Sequence, residues 1–324
     1  MTRRTLIASS AAFAVAAGAQ TRSKFGIATT CYMTVRRFRD TLEFLEHANS
    51  IGAAGIQTAL TSLEPAYLDK VERRLKDTGM YLEVMSGLPK VEMAGFVQTM
   101  EAAKRLGALC VRSACLGGRR YETFSSLEDW KKFVADSKAA IARAVPIAQK
   151  IRLPFAIENH KDWTIDEMVP ILKSYSSDYF GVCLDTGNNM ALIDDPMEVV
   201  ERLAPFAVST HIKDMGVNEY EEGFLLSEVP NGQGMLDLPK IMGIVERARP
   251  KTRMTLEMIT RDPLKIPVFT DKYWATFPDR NGLYLARTMR MVRAKKSKLP
   301  MISGLSKEEQ FKVEEQNVRR CLAS

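Results

Sequence analysis

Four residues stand where their chemistry would be costly without a common partner. Glu158 ends the run Ala156-Ile157-Glu158, Asp185 ends Cys183-Leu184-Asp185, His211 ends Ser209-Thr210-His211, and Glu257 ends Thr255-Leu256-Glu257. Each follows an apolar or β-branched segment, so each charge would be drawn toward the interior, where an unpaired ion costs several kcal/mol. A cation shared by all four removes that cost. Three carboxylates and one imidazole form a mostly hard ligand set. It suits one divalent ion (Mn, Mg, Co or Zn) and disfavours Cu(I) or an iron–sulfur cluster.

The elements that must carry these residues follow a strict alternation. Short strand-like runs occur at Phe25–Thr30, Gly55–Leu60, Tyr81–Ser86, Ala108–Ser113, Pro154–Glu158, Phe180–Asp185, Ala207–His211 and Met254–Ile259. Helical-period segments lie between them: Asp40–Ile51, Leu68–Thr78, Val97–Leu106, Leu127–Lys150, Ile165–Ser174, Pro196–Leu203 and Leu238–Ala248, with an eighth at Asn281–Ala294. Gly52, Gly79 and Gly107 each stand just after a helix and just before a strand, where a left-handed cap wants no Cβ. Eight strand–helix units predict an α/β fold, a single-domain (β/α)8 TIM barrel, rather than an open sheet. The four residues then fall at the C-terminal ends of strands five to eight, the end where such barrels build their sites. No glycine fingerprint follows the first strand, which removes support for a dinucleotide site.

Alternation along a strand adds candidates, because side chains two apart share a face. If Glu158 faces the barrel mouth, so does His160; if His211 does, so does Lys213. Both are candidate substrate-binding residues, and Arg112 at the end of strand four is a third. Trp163, Tyr273 and Trp274 are candidates for an apolar wall against a sugar face.

With Glu, Asp, His and Glu on strands five to eight, the chain resembles the xylose-isomerase-like barrel superfamily, which holds ketose 3-epimerases, hydroxypyruvate isomerase and inosose dehydratase. The likeness spans roughly Phe25 to Ala294. The phrases His211-Ile212-Lys213-Asp214 and Asp185-Thr186-Gly187-Asn188 are similar to those of its many sugar phosphate isomerase/epimerase-like members. The resemblance implies one divalent ion on Glu158, Asp185, His211 and Glu257. It also implies that Glu158 and Glu257 are catalytic, exchanging a substrate proton on opposite faces. Proton removal beside a carbonyl leaves an enediolate, and return to either face gives isomerisation or epimerisation. Loss of a β-substituent makes the enzyme a lyase or hydratase, for example on 3-keto-glycosides. The family's sugar epimerases commonly carry a histidine three residues after the strand-six aspartate. Asn188 occupies that place here and becomes the candidate substrate contact. A zinc endonuclease of the same superfamily needs several more histidines than the three present, His47, His160 and His211. A barrel that binds sugar without chemistry is the alternative from another class.

The ends of the chain carry separate signals. Thr2-Arg3-Arg4 precedes an apolar, Ala-rich stretch closed by Ala17-Gly18-Ala19. Residues 1–19 read as a signal peptide, partly matching the twin-arginine type, and predict a periplasmic or extracellular protein. The stretch is shorter than the ~20 apolar residues of a membrane span. The barrel is expected over residues 20–294 and a tail over 295–324, with Ser306 and Glu309 as the capping box of a short helix. Asn218–Gly234 and Thr260–Arg280 read as two long loops, either lids or partner surfaces. A homo-oligomer is compatible with these loops and the tail. The formal charge of +7 is spread along a chain that is 26% charged, without the clustered stripe of a nucleic-acid binder. The expected partner is a small sugar or glycoside, with no nucleic acid and no membrane. The cysteines Cys31, Cys110, Cys115, Cys183 and Cys321 contain no CxxC pair and read as small buried apolar residues.

Overall fold

The computed structural model describes residues 22–324; the expected signal peptide, residues 1–19, lies outside the described residues. In chain order the strands are β1 (Phe25–Ala28), β2 (Gly55–Thr58), β3 (Tyr81–Met85), β4 (Val111–Ser113), β5 (Phe155–Glu158), β6 (Phe180–Asp185), β7 (Ala207–His211), β8 (Asp214–Tyr220), β9 (Gly223–Val229), β10 (Met254–Leu256) and β11 (Leu264–Ile266). Eight of them pair in parallel in the order β10-β1-β2-β3-β4-β5-β6-β7. The seam between β7 and β10 closes through a parallel bridge from Ile212 to Leu256. There Ile212 N–H donates to Thr255 O at 2.8 Å, and Glu257 N–H donates to Ile212 O at 3.1 Å. The bonds that close the barrel thus also fix the backbone of Glu257.

The helices are α1 (Thr41–Ser50), α2 (Pro65–Thr78), α3 (Ala94–Arg105), α4 (Arg120–Thr123), α5 (Leu127–Ile151), α6 (Ile165–Lys173), α7 (Pro196–Leu203), α8 (Leu238–Ala248), α9 (Asp271–Trp274), α10 (Gly282–Lys295) and α11 (Lys307–Leu322). Gly52, Gly79 and Gly107 take φ of 80°, 65° and 70°, as the repeated spacing predicts. One continuous apolar core joins the strands to the helices around them. Ile27, Ile56, Val84, Phe155, Ile157 and Val182 are fully buried in it, each contributing about 1.5–3 kcal/mol relative to exposure. All five cysteines are unpaired, and all but Cys115 are buried. No helix among the described residues is long and apolar enough to cross a membrane.

The two long loops expected after strands seven and eight are instead a second, smaller sheet. β8 and β9 form an antiparallel hairpin, and β11 adds to β9 in the order β11-β9-β8. Val217, Phe224, Leu226 and Ile266 turn inward from it and join Tyr121, Tyr273, Phe277 and Val292 in a separate apolar cluster. The next segment is held from below: Asp214 accepts from the N–H groups of Gly232, Gly234 and Leu236 at 2.9, 2.8 and 3.1 Å.

The tail helix is longer than a short cap, running sixteen residues from the expected Ser306–Glu309 capping box. It packs across the loop that leaves β1. Glu314 is fully buried and accepts from the backbone N–H of Thr34, Val35 and Arg36 at 2.8, 3.3 and 2.9 Å.

Candidate metal centre

Glu158, Asp185, His211 and Glu257 converge at the C-terminal mouth of the barrel. All four are buried, and one ligand atom from each lies within 4.8 Å of the others. The imidazole is the hub. Its Nδ1 is 3.2 Å from Glu158 Oε1, 3.4 Å from Glu257 Oε1 and 3.6 Å from Asp185 Oδ2. Its Nε2 lies 2.7 Å from Gln57 Oε1. The Gln57 amide nitrogen donates to Glu83 Oε2 at 2.8 Å and to Ser209 Oγ at 3.2 Å. Gln57 Oε1 must therefore accept, and Nε2 carries the proton. Arg112 Nη2 is farther from Nε2, at 3.4 Å. Nδ1 is left with a lone pair facing three carboxylates, an arrangement that demands either a proton or a cation.

The donor set fits a divalent cation. Asp185 Oδ2 is buried without a hydrogen bond, although Lys213 Nζ stands 2.7 Å away as an ion-pair partner. Asp185 Oδ1 is used up by the N–H groups of Gly187 and Asn188 at 2.9 and 2.7 Å, so the carboxylate is oriented with Oδ2 toward His211 and Lys213 at the centre. Burial opposes the imidazolium of His211, and Cys183 together with Glu257 and Glu158 outweighs it, so its pKa rises well above the ordinary histidine value. Positive charge is stabilised at this point. Glu158, Asp185, His211 and Glu257 are the residues that would hold the ion.

The carboxylates are also braced by cations of the chain. Arg112 Nη2 sits 3.1 Å from Glu158 Oε2 and 3.9 Å from Glu257 Oε1. Lys213 Nζ sits 2.6 Å from Glu257 Oε2, and Thr30 Oγ1 donates to Glu257 Oε1 at 2.9 Å. Burial alone would push both glutamates up. Arg112 and His211 hold Glu158 below the usual carboxylate range, and His211, Lys213 and Arg112 do the same for Glu257.

A cleft of about 360 Å³ opens above the centre. Glu158, Glu257, Arg112 and His160 line it, together with Thr30, Lys161, Arg119 and Arg261. Among the other expected site residues, Lys213 and Asn188 are fully buried beside the ligands rather than in the cleft wall. Lys213 pairs with Asp185 and Glu257, not with Asp214. Asn188 donates to Glu158 Oε1 at 3.1 Å and accepts from Lys213 at 3.2 Å. Both are placed to orient ligands. The aromatic wall expected of Trp163, Tyr273 and Trp274 is not formed. Trp163 packs on Trp130 and Phe133, and Tyr273 on Tyr121 and Phe277; none of the three lines the cleft.

The segment from Glu158 to Thr164 is held tightly. Asp162 accepts from Trp163 N–H at 2.7 Å and from Leu116 N–H at 3.1 Å. Thr164 and Glu167 form a complete capping box at the start of α6. This presents His160, whose buried Nδ1 has no partner and whose pKa burial draws down to about 4. It also presents Lys161, which is absent from the residues expected from sequence. The available clue was its place in Glu158-Asn159-His160-Lys161, directly after a strand end.

Comparison with known proteins agrees with this architecture. The model of the xylose isomerase-like TIM barrel family matches residues 45–274. The chain belongs to that family. It is 28% identical over 200 residues to 3-oxo-isoapionate decarboxylase of Pectobacterium atrosepticum, a match covering 60% of this chain and 68% of that protein. Among solved structures it is similar to a xylose isomerase-like TIM barrel protein of Mycobacterium smegmatis in complex with magnesium. That match has a TM-score of 0.57 and 12% identity, and covers 83% of this chain and 98% of the other. It is equally similar in fold to 3-keto-D-glucoside 4-epimerase of E. coli, with a TM-score of 0.57 and 13% identity over 83% and 100% of the two chains. Identities this low speak for the fold alone.

Proposed function

We propose that this xylose isomerase-like barrel is a divalent-metal-dependent isomerase or epimerase that makes and quenches an enediolate at the carbon beside a sugar carbonyl. The observation that carries the reading is the convergence of Glu158, Asp185, His211 and Glu257 beneath a cleft that Glu158 and Glu257 themselves line. A divalent ion held there supplies Lewis acidity toward a ketone and its neighbouring hydroxyl. The chain supplies the rest. Glu158 and Glu257 are the carboxylates within reach of a bound substrate and exchange its proton. Arg112, between them, stabilises the oxyanion that develops as the proton leaves. Thr30 and Lys213 fix the rotamer of Glu257. The ring of His160 is neutral at pH 7 and its free Nδ1 offers a hydrogen bond to a hydroxyl. If residues 1–19 export the chain, oxidised sugars are the fitting substrates rather than sugar phosphates.

One observation favours a second reading, a lyase. Arg112 and His211 lower the basicity of Glu158, and His211, Lys213 and Arg112 that of Glu257, which disfavours proton abstraction. Loss of carbon dioxide from a 3-oxo acid reaches the same enediolate without a base: the carbon–carboxylate bond breaks and its electron pair moves to the ketone oxygen. The relative named 3-oxo-isoapionate decarboxylase supports it.

One experiment tests both. Metal-reloaded wild type and Glu257→Gln are incubated in deuterated buffer with ketoses, 3-keto-glycosides and 3-oxo sugar acids, with NMR and carbon dioxide release as readouts. Metal-dependent exchange into recovered ketone, reduced about 10²–10⁴-fold in the variant, is the expected result. Carbon dioxide release without prior exchange selects the lyase. Neither product across the panel, with metal bound at full stoichiometry, overturns the reading.

A further inference from the structure

The cations around the cleft are nearly all spoken for. Arg112 faces Glu158, Lys213 faces Asp185 and Glu257, Arg119 faces Glu122, and Arg261 grips Glu228 through two contacts at 2.6 and 3.2 Å. Lys161 differs. Only 3% of it is exposed, no carboxylate among the described residues lies within ion-pair distance of it, and its ammonium reaches only Asn188 Oδ1. That oxygen already accepts from Lys213. Glu228 and Asp185 favour the Lys161 charge only from beyond ion-pair distance, and each is already paired, with Arg261 and Lys213 respectively; a buried ammonium without a paired counter-charge costs several kcal/mol. The three carboxylates of the centre cannot repay it, since Arg112, Lys213 and a divalent ion already match them. The one open side of Lys161 is the cleft, which it lines next to His160.

We propose that Lys161 anchors an anion subsite that takes one carboxylate of the substrate, so that the substrate class is a keto sugar acid rather than a neutral ketose. The assignment rests on the reading above, in which the metal centre handles the ketone. A single ammonium fits a singly charged carboxylate. A phosphate is better served by the paired donors of a free guanidinium fork; the fork of Arg261 is occupied by Glu228, and Arg119 is tied to Glu122 through its Nη1. The unpartnered Nδ1 of His160, beside Lys161, adds a second polar group on the same wall.

The test needs no turnover. Metal-loaded full-length protein is titrated calorimetrically with a four-carbon sugar acid, threonate, and with the matched polyol, threitol. The metal itself favours the acid, so the decisive quantity is the acid-to-polyol affinity ratio compared between proteins. In Lys161→Met the ratio is expected to fall roughly 10- to 100-fold, the worth of a hydrogen bond to a charged group. Threitol affinity and metal stoichiometry should stay at wild-type values. Lys161→Arg should recover much of the ratio. Lys161→Gln carries the comparison if the Met variant does not fold. A ratio unchanged in the folded Met or Gln variant, or no acid preference in wild type, overturns the subsite. Exchange into neutral ketones with no Lys161-dependent preference leaves the enediolate reading standing and removes the subsite. A Lys161-dependent preference with no exchange does the reverse.

Discussion

The two halves of the barrel do different work at the same centre. β5, β6, β7 and β10 each deliver one potential ligand from the strand end or the residue just after it. β1 to β4 deliver none, yet each sends one polar side chain to brace the ligands. Thr30, after β1, bonds Glu257. Gln57 in β2 fixes the tautomer of His211. Glu83 in β3 fixes Gln57, and Arg112 in β4 pairs with Glu158. Geometry at this centre therefore depends on strands that offer nothing to a metal. Ligands set what the centre binds, while the braces set how ready it is to bind. Mutations in the brace half separate these roles.

The largest effect is expected at Arg112. Arg112→Met leaves Glu158 buried without its guanidinium, and breaking a buried pair costs about 3–5 kcal/mol. Urea unfolding of metal-free protein should register that loss, and added divalent metal should return part of it by neutralising the same carboxylates. A loss below about 1 kcal/mol, the scale of an exposed pair, would mean that the brace half contributes nothing to charge balance, and the comparison between halves would collapse to ligands alone.

Gln57→Leu acts on orientation rather than charge. It removes the acceptor for His211 Nε2–H and frees the ring to turn its proton toward the carboxylates. Metal affinity, measured by competition with a chelator, should fall about 10–100-fold, the usual cost of losing such an outer partner. Wild-type affinity in the variant would show that the tautomer is set elsewhere.

The same division governs what was legible in the sequence. The ligands announce themselves because an acid or imidazole at the end of an apolar strand is costly unless a counter-charge meets it there. Gln57 and Glu83 have no such signature. They sit inside the short strands Gly55–Thr58 and Tyr81–Met85, and only the closed barrel brings β2 and β3 across from β7. The small sheet was hidden differently. Met215 and Val217, then Phe224 and Leu226, do alternate, but Asn218, Glu221 and Gly223 make the stretch look like a loop. The aromatics misled because type says nothing of direction. Trp163 and Tyr273 fill the space between the barrel and its added sheet and helices, where their area is worth more as packing.

The smallest effect concerns the outermost part of the brace half, where α1 meets the tail helix. His47 Nε2 lies 2.8 Å from Tyr32 Oη and 3.4 Å from Glu315. Burial, helped by Arg36 and opposed by Glu315, draws the histidine down to about 4. The sign of the pH effect follows. Between the unfolded histidine value of 6.5 and the folded value of about 4, the unfolded chain takes up a proton that the folded chain refuses. Acidification through that window therefore favours unfolding, and below it the effect saturates. From pH 7 to pH 5.5 this one residue should remove roughly 1 kcal/mol of stability. His47→Gln keeps a polar partner for Tyr32 but cannot titrate. Its urea midpoint should decline less than that of wild type over the same interval, while metal affinity stays unchanged because His47 touches no ligand. Parallel pH curves for the two proteins would show that the tail contact at His47 does not carry the acid sensitivity of the fold over this interval.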